Sequence, residues 1–152
     1  MRSSPGLTDD FSRYKLPFSQ NTVLAEPGVS GRLWRQMKKD GQGLIAAVIR
    51  EESSGEILMQ AFVDEEAFAA TLETGLMHYH SRSRGKLWLK GEQSGHFQQV
   101  RAIQVDCDAD CLLVDVCQIG PACHTGAHSC FYRPLAALTG ALPPDPQTGR
   151  EQ

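Results

Sequence analysis

The segment DEEAFAATLETG at 64–75 constrains the fold more than any other stretch of this chain. Asp64 is a side chain that caps helix starts, and Glu65 and Glu66 fall where the positive end of the helix dipole favours them. Phe68 and Leu72 share one face, and Gly75 suits the left-handed residue that closes a helix. Short apolar runs surround this helix. LIAAVIR (44–50) and EILMQAF (56–62) flank an SSG turn at 53–55 and predict a hairpin. LMHYHS, KLWL, FQQVRAIQV and CLLVDVCQ follow as further strands. One clear helix among so many strands predicts an α+β domain with a mostly antiparallel sheet and one main helix.

A shorter helix is expected at 31–39, with Leu33, Trp34 and Met37 along one side and Gly41 and Gly43 stopping it. Residues 1–30, with Pro5, Pro17 and Pro27, read as an irregular lead-in. Residues 31–133 read as one domain, and 134–152, holding ALPPDPQTGREQ, as a poorly ordered tail. A chain of 152 residues is long enough for one core. It shows no signal peptide and no run able to span a bilayer, so a cytoplasmic location is expected. There the five cysteines should stay reduced and serve metal binding or packing rather than disulfides. The net charge of −3 argues against wholesale nucleic-acid binding and leaves room for a local basic patch.

VDCDADCLL (105–113) interleaves carboxylates, which prefer hard cations, with thiols, which prefer soft ones. In an extended chain Asp106, Asp108 and Asp110 would face one way and Cys107 the other, so two different metals would not compete for ligands. Three carboxylates suit Mg²⁺; an acidic strand end in solvent is the alternative. GPACHTGAHSCF (120–131) adds Cys123 and Cys130 on a Gly-rich loop, with His124 and His128 nearby. Their spacing is not that of a zinc finger, and two packed thiols on a structural loop would look the same. With Cys107 they would make three thiolates, the number of protein ligands typical of a catalytic zinc with one open position. Cys111 and Cys117, six apart in an apolar strand, read as core residues.

HYHSRSRGKLWLKGEQSG (78–95) places Arg82, Arg84, Lys86 and Lys90 beside Tyr79 and Trp88. Guanidinium forks grip phosphate, aromatic faces stack bases, and Ser81, Ser83 and Ser94 add hydroxyl donors. A solvated basic hairpin would carry the same residues.

Taken in order, SRSRGKLWLKGEQSG, DCDADCLLVDVCQIGPACHTG and SCFYR resemble the motifs of the phosphoribosyl-AMP cyclohydrolases, ring-opening enzymes of histidine biosynthesis. The likeness runs from about Gly43 to Arg133, and the short tail after SCFYR is that expected of the single-activity form. The resemblance implies Mg²⁺ at Asp106, Asp108 and Asp110. It implies Zn²⁺ at Cys107, Cys123 and Cys130, in a site shared between the subunits of an intertwined homodimer. The implied substrate is an adenine nucleotide bearing a phosphoribosyl group on N1, which leaves C6 open to attack by zinc-activated water. Ser81, Arg82, Ser83, Arg84, Lys86, Trp88, Lys90 and Ser94 would bind its phosphates and base. His124 is the candidate general acid/base, or else a hydrogen-bond donor behind the metal. His80 and His96 depart from the family, which often has Phe or Trp at the first and Asn at the second.

A rival reading is a structural-zinc module that binds nucleic acid through its basic hairpin; it predicts saturated thiolate coordination and salt-sensitive binding. A zinc deaminase is set aside, because no His-x-Glu and no Cys-x-x-Cys is present.

Overall fold

Every second side chain of Ile45–Glu51 (β1) is buried, so Ile45, Ala47, Ile49 and Glu51 define the inner face of the central sheet. The computed structural model describes residues 28–139. The predicted hairpin forms: Ile57–Val63 (β2) returns antiparallel to β1 after a turn in which Gly55 adopts a φ of 79°. On the other side of β1 lies Cys111–Gln118 (β6), paired in parallel, and beyond it Gln98–Val105 (β5), antiparallel to β6. The strand order is therefore β2-β1-β6-β5. His78–Ser81 (β3) and Lys86–Leu89 (β4) form a separate antiparallel ribbon. The architecture is α+β and mostly antiparallel, as the sequence predicts.

The helix at Glu65–Thr74 (α2) is built as its residues require. Asp64 Oδ1 accepts from the Ala67 N–H at 2.9 Å, and Gly75 closes the helix at a φ of 77°. Phe68 and Leu72 bury its inner side. The expectation of one main helix needs correction: Val29–Gln36 (α1) has eight residues against ten in α2. Their rings meet at Trp34 and Phe68, with centroids 5.6 Å apart. The helix expected at 31–39 starts two residues earlier and ends before the glycines reach it. Met37 is extended, and Lys39 Nζ donates to the carbonyls of Trp34 and Met37 at 2.8 and 2.6 Å. A lysine side chain thus takes up carbonyls that another helical turn would have used. Residues 1–27 of the predicted lead-in and 140–152 of the predicted tail lie outside the described residues; within the tail, Leu135–Leu138 forms a 3-10 turn.

Cys111 and Cys117 are not core residues. The buried side chains of β6 are Leu112, Val114 and Val116, so the odd-numbered positions face outward. Cys111 is half-exposed and Cys117 exposed. On that outer face Arg50 and Asp115, neighbours across the parallel pair, form a two-pronged ion pair at 2.6 and 3.1 Å.

The ribbon is joined to the sheet by buried polar groups. Tyr79, fully buried, donates to Gln98 Oε1, and Gln98 Nε2 donates to Gln118 Oε1 at 2.8 Å. Burial pushes the Tyr79 phenol well above its usual range, so it remains a donor. This chain ties β3 to the start of β5 and to the end of β6.

Candidate active site

The connection from β5 to β6 carries the acidic motif. It is a tight turn rather than the extended strand that the alternation argument assumed. The Asp106 N–H donates to the Cys111 carbonyl and the Ala109 N–H to the Asp106 carbonyl, both at 3.0 Å. Asp106 Oδ1 accepts from the N–H groups of Asp110 and Cys111 at 3.0 and 3.2 Å. Ala109 takes a left-handed φ of 62°, rare for a residue with a Cβ, and its carbonyl accepts from the Lys38 N–H at 2.7 Å. Asp106, Asp108 and Asp110 are brought together by this fold-back, with a ligand oxygen from each within 4.8 Å of the others.

The turn sets those carboxylates against one another. Hydrogen bonds from Asp108 and Asp106, then desolvation and like charge, hold the Asp110 carboxyl above its ordinary value. At Asp106 desolvation pushes upward, but the Asp110 N–H, the Asp110 carboxyl, the Cys111 N–H and Asp108 together outweigh it and hold the group low. Packed acids of this kind are what a hard divalent cation relieves.

Past β6 the chain forms the cysteine loop. The N–H groups of Ala122 and Cys123 donate to the carbonyls of His128 and Ala127, both at 3.1 Å, folding the loop on itself. Its far end is pinned to β2, where the Cys130 N–H donates to the Leu58 carbonyl at 2.7 Å and Ser129 Oγ to the Ile57 carbonyl at 2.7 Å. Cys123 and Cys130 come within hydrogen-bonding reach. Thr125 Oγ1 donates to Cys123 Sγ at 3.0 Å and, with the Thr125 N–H, lowers the Cys123 pKa. Burial first, and then Cys123, pushes the Cys130 thiol up. The two thiols are thus shifted in opposite directions, Cys123 toward its ionised form and Cys130 away from it.

Cys107 is exposed on the β5–β6 turn and does not join that pair. Among the described residues the three aspartates are the one group of three or more potential ligands gathered closely enough to hold an ion.

A cleft of about 430 Å³ joins the two sequence motifs that matter most. Arg84, Trp88, Lys90 and Ser94 line it from β4 and its flanks, and Cys123 and His124 line it from the cysteine loop. The rest of the predicted basic stripe lies outside this lining. Arg82 packs its guanidinium 4.2 Å from the Phe62 ring centroid. The Ser81 and Ser83 hydroxyls lie 3.5 Å apart in the β3–β4 turn, where Ser81 Oγ also accepts from the Arg84 N–H at 3.3 Å; Lys86 is exposed at the start of β4.

Two features of the site go beyond the residue patterns. His96 lines the same cleft, and glycines make room for it. A Cβ on Gly120 would sit 2.5 Å from the His96 ring, and one on Gly91 would sit 2.6 Å from its backbone. The signal was Gly91 in the basic motif and Gly120 in the cysteine motif. The other is His128, whose Nδ1 lies 2.8 Å from Glu56 Oε1 and whose Nε2 lies 3.6 Å from Glu51 Oε1, tying the cysteine loop to the β1–β2 hairpin. Only tertiary structure brings those three together.

Residues 59–132 match the phosphoribosyl-AMP cyclohydrolase family model, a span that includes the ribbon, the acidic turn and the cysteine loop. A phosphoribosyl-AMP cyclohydrolase of Methanococcoides burtonii is 54% identical over 97 residues, which cover 64% of this chain and 80% of that protein. The chain belongs to the phosphoribosyl-AMP cyclohydrolase family. Another such cyclohydrolase, from a Nocardioides species, is 48% identical over 121 residues, 80% of this chain and 94% of that protein. The histidine biosynthesis bifunctional protein HisIE of Thermoanaerobacter pseudethanolicus is 50% identical over 102 residues, 67% of this chain and 47% of its own length. Membership of the cyclohydrolase family decides between an enzyme and a nucleic-acid-binding module in favour of the enzyme. Among the described residues no helix is long and apolar enough to cross a membrane.

Proposed function

We propose that this protein is a phosphoribosyl-AMP cyclohydrolase, a hydrolase of histidine biosynthesis acting on a small nucleotide in the cytoplasm, where its thiols stay reduced. One observation carries the reading: Cys123 and His124 line the same cleft as Trp88 and Arg84. A base stacked near Trp88 and a phosphate held by Arg84 would set the purine ring beside His124 and Cys123.

Cys123 and Cys130 are a donor set suited to zinc, being two adjacent sulfurs of which one is shifted toward its ionised form. The third sulfur would be Cys107 of a second copy, and its separation from the pair within one chain supports a site shared across a homodimer. Asp106, Asp108 and Asp110 suit Mg²⁺, which takes few carboxylates and leaves positions for phosphate oxygens. When bound, the zinc supplies a Lewis acid that brings the pKa of water near neutrality.

The reaction adds water to C6 of the N1-substituted adenine and breaks the N1–C6 bond. His124 takes the proton from the attacking water and returns one to N1 as that nitrogen leaves. Arg84 and Ser94 hold the phosphates, joined by Ser81, Arg82, Ser83 and Lys86 where the nucleotide extends past the cleft. The test is metal analysis of the purified protein with an ultraviolet assay of phosphoribosyl-AMP ring opening, with and without chelator. Stoichiometric zinc and a chelator-sensitive rate are expected; full turnover without zinc would refute the reading.

A further inference from the structure

We infer that Lys90 is a positioning residue for the Cys123/Cys130 pair, the fixed counter-charge of its thiolates, rather than the phosphate contact that its place in a basic stripe implies. The inference rests on the zinc reading above.

Three observations point the same way. Lys90 Nζ donates a 2.6 Å hydrogen bond to the carbonyl of Ala122, the residue just before Cys123. Lys90 and Cys123 also line the same cleft, so the ammonium stands on the side of the thiol pair that faces it. It also lies 5.4 Å from the centroid of the Trp88 ring, whose electron-rich face attracts a cation.

Taken together these contacts explain why a lysine tolerates the position. Lys90 is half-buried, and a half-buried ammonium is stable where a carbonyl, a ring face and negatively charged ligands surround it. The benefit is mutual. Thiolates gathered on one divalent ion repel one another and carry more negative charge than the ion cancels once three are present, so a cation beside them lowers the energy of the assembly. The Ala122 bond adds a mechanical part. The Lys90 N–H donates to the Met77 carbonyl at 3.1 Å, which fixes the lysine in the ribbon. Its side chain then fixes the cysteine loop to the same ribbon, and so to Trp88. Arg84, exposed on the wall of the cleft and fork-shaped, is better suited to phosphate than an amine already bonded to a carbonyl.

The experiment compares the wild-type protein with Lys90→Met and Lys90→Arg, each checked for fold by circular dichroism. Zinc affinity is measured by competition with a chromophoric chelator, and KM and kcat are measured at saturating zinc. Lys90→Met is expected to weaken zinc binding by about 10- to 100-fold, the usual effect of losing a group that supports metal ligands, while KM changes by less than about 2-fold. Lys90→Arg, which keeps the charge, is expected to stay closer to wild type. Unchanged zinc affinity in Lys90→Met overturns the inference, and a raised KM in its place would make Lys90 a phosphate contact. If Lys90→Met does not fold, Lys90→Gln makes the same comparison, since it is neutral and still able to donate to Ala122. A wild-type protein that takes up no zinc sinks the zinc reading itself, a result distinct from either.

Discussion

On the proposed reading Cys123 and His124, adjacent in the chain, have separable duties, and substitution tells them apart. Cys123 accepts a hydrogen bond from Thr125 and is the more readily ionised of the paired thiols. Cys123→Ser should lose zinc and activity together, because a hydroxyl does not ionise near neutral pH to serve as a ligand. His124 lines the cleft with an exposed ring. His124→Ala should keep its zinc while kcat falls by about 10²- to 10⁴-fold, the usual share of a general acid/base, and the pH dependence of kcat should flatten. Wild-type rates across pH would remove His124 from the proton path. Both were legible in the sequence as candidates, a thiol as a soft ligand and an imidazole as a proton carrier. The orientation of Cys111 and Cys117 was not. Free cysteine packs like a small hydrophobe, and strand alternation alone does not say which parity faces the core.

At the scale of elements, α2 shows what local chemistry determines. The Asp64 carboxylate satisfies the Ala67 N–H, so Asp64→Ala should cost about 0.5–2 kcal/mol, read from chemical denaturation. His80 Nδ1 lies 3.2 Å from the other oxygen of Asp64 but without hydrogen-bond geometry, so the loss should come mainly from the cap. The acidic turn shows the limit of such reasoning. Strand alternation predicted the facing of its aspartates, but the Asp106 side chain bonds its own turn and folds the segment back, gathering the same three groups by another route. β3 carries a pH dependence of its own. His78 is buried, with Nδ1 2.8 Å from the Leu76 carbonyl, and desolvation lowers its pKa although that carbonyl offsets part of the effect. Above the unfolded value of about 6.5 the ring is neutral in both states. As pH falls through that value the unfolded chain takes up a proton that the folded chain resists, so stability is lost from there down towards the folded pKa. The melting temperature of His78→Gln should therefore fall less steeply than that of wild type as pH drops from about 7 to 5, and parallel curves would exclude the effect.

The whole molecule raises the question of what one chain lacks. The parallel pairing of β1 with β6 is long-range, and no local pattern in either strand announces it; along the chain the acidic turn leads into one end of β6 and the cysteine loop leaves the other. Cys107 goes with the turn, and Cys123 and Cys130 go with the loop, so an eight-residue strand separates the third sulfur from the pair. At about 3.3 Å per residue that strand spans about 26 Å, far beyond the 2.3 Å of a zinc–sulfur bond. A three-thiolate site consequently needs Cys107 from another subunit, and subunit exchange tests this. Cys107→Ser and Cys123→Ser homodimers should each be inactive. When the two are dissociated, mixed in equal amounts and reassembled, about half the dimers are mixed, and each has one intact site and one doubly damaged site. Activity and bound zinc should then recover to about a quarter of wild type. A site built within one chain would stay inactive at every mixing ratio, because neither parent carries a complete set of sulfurs.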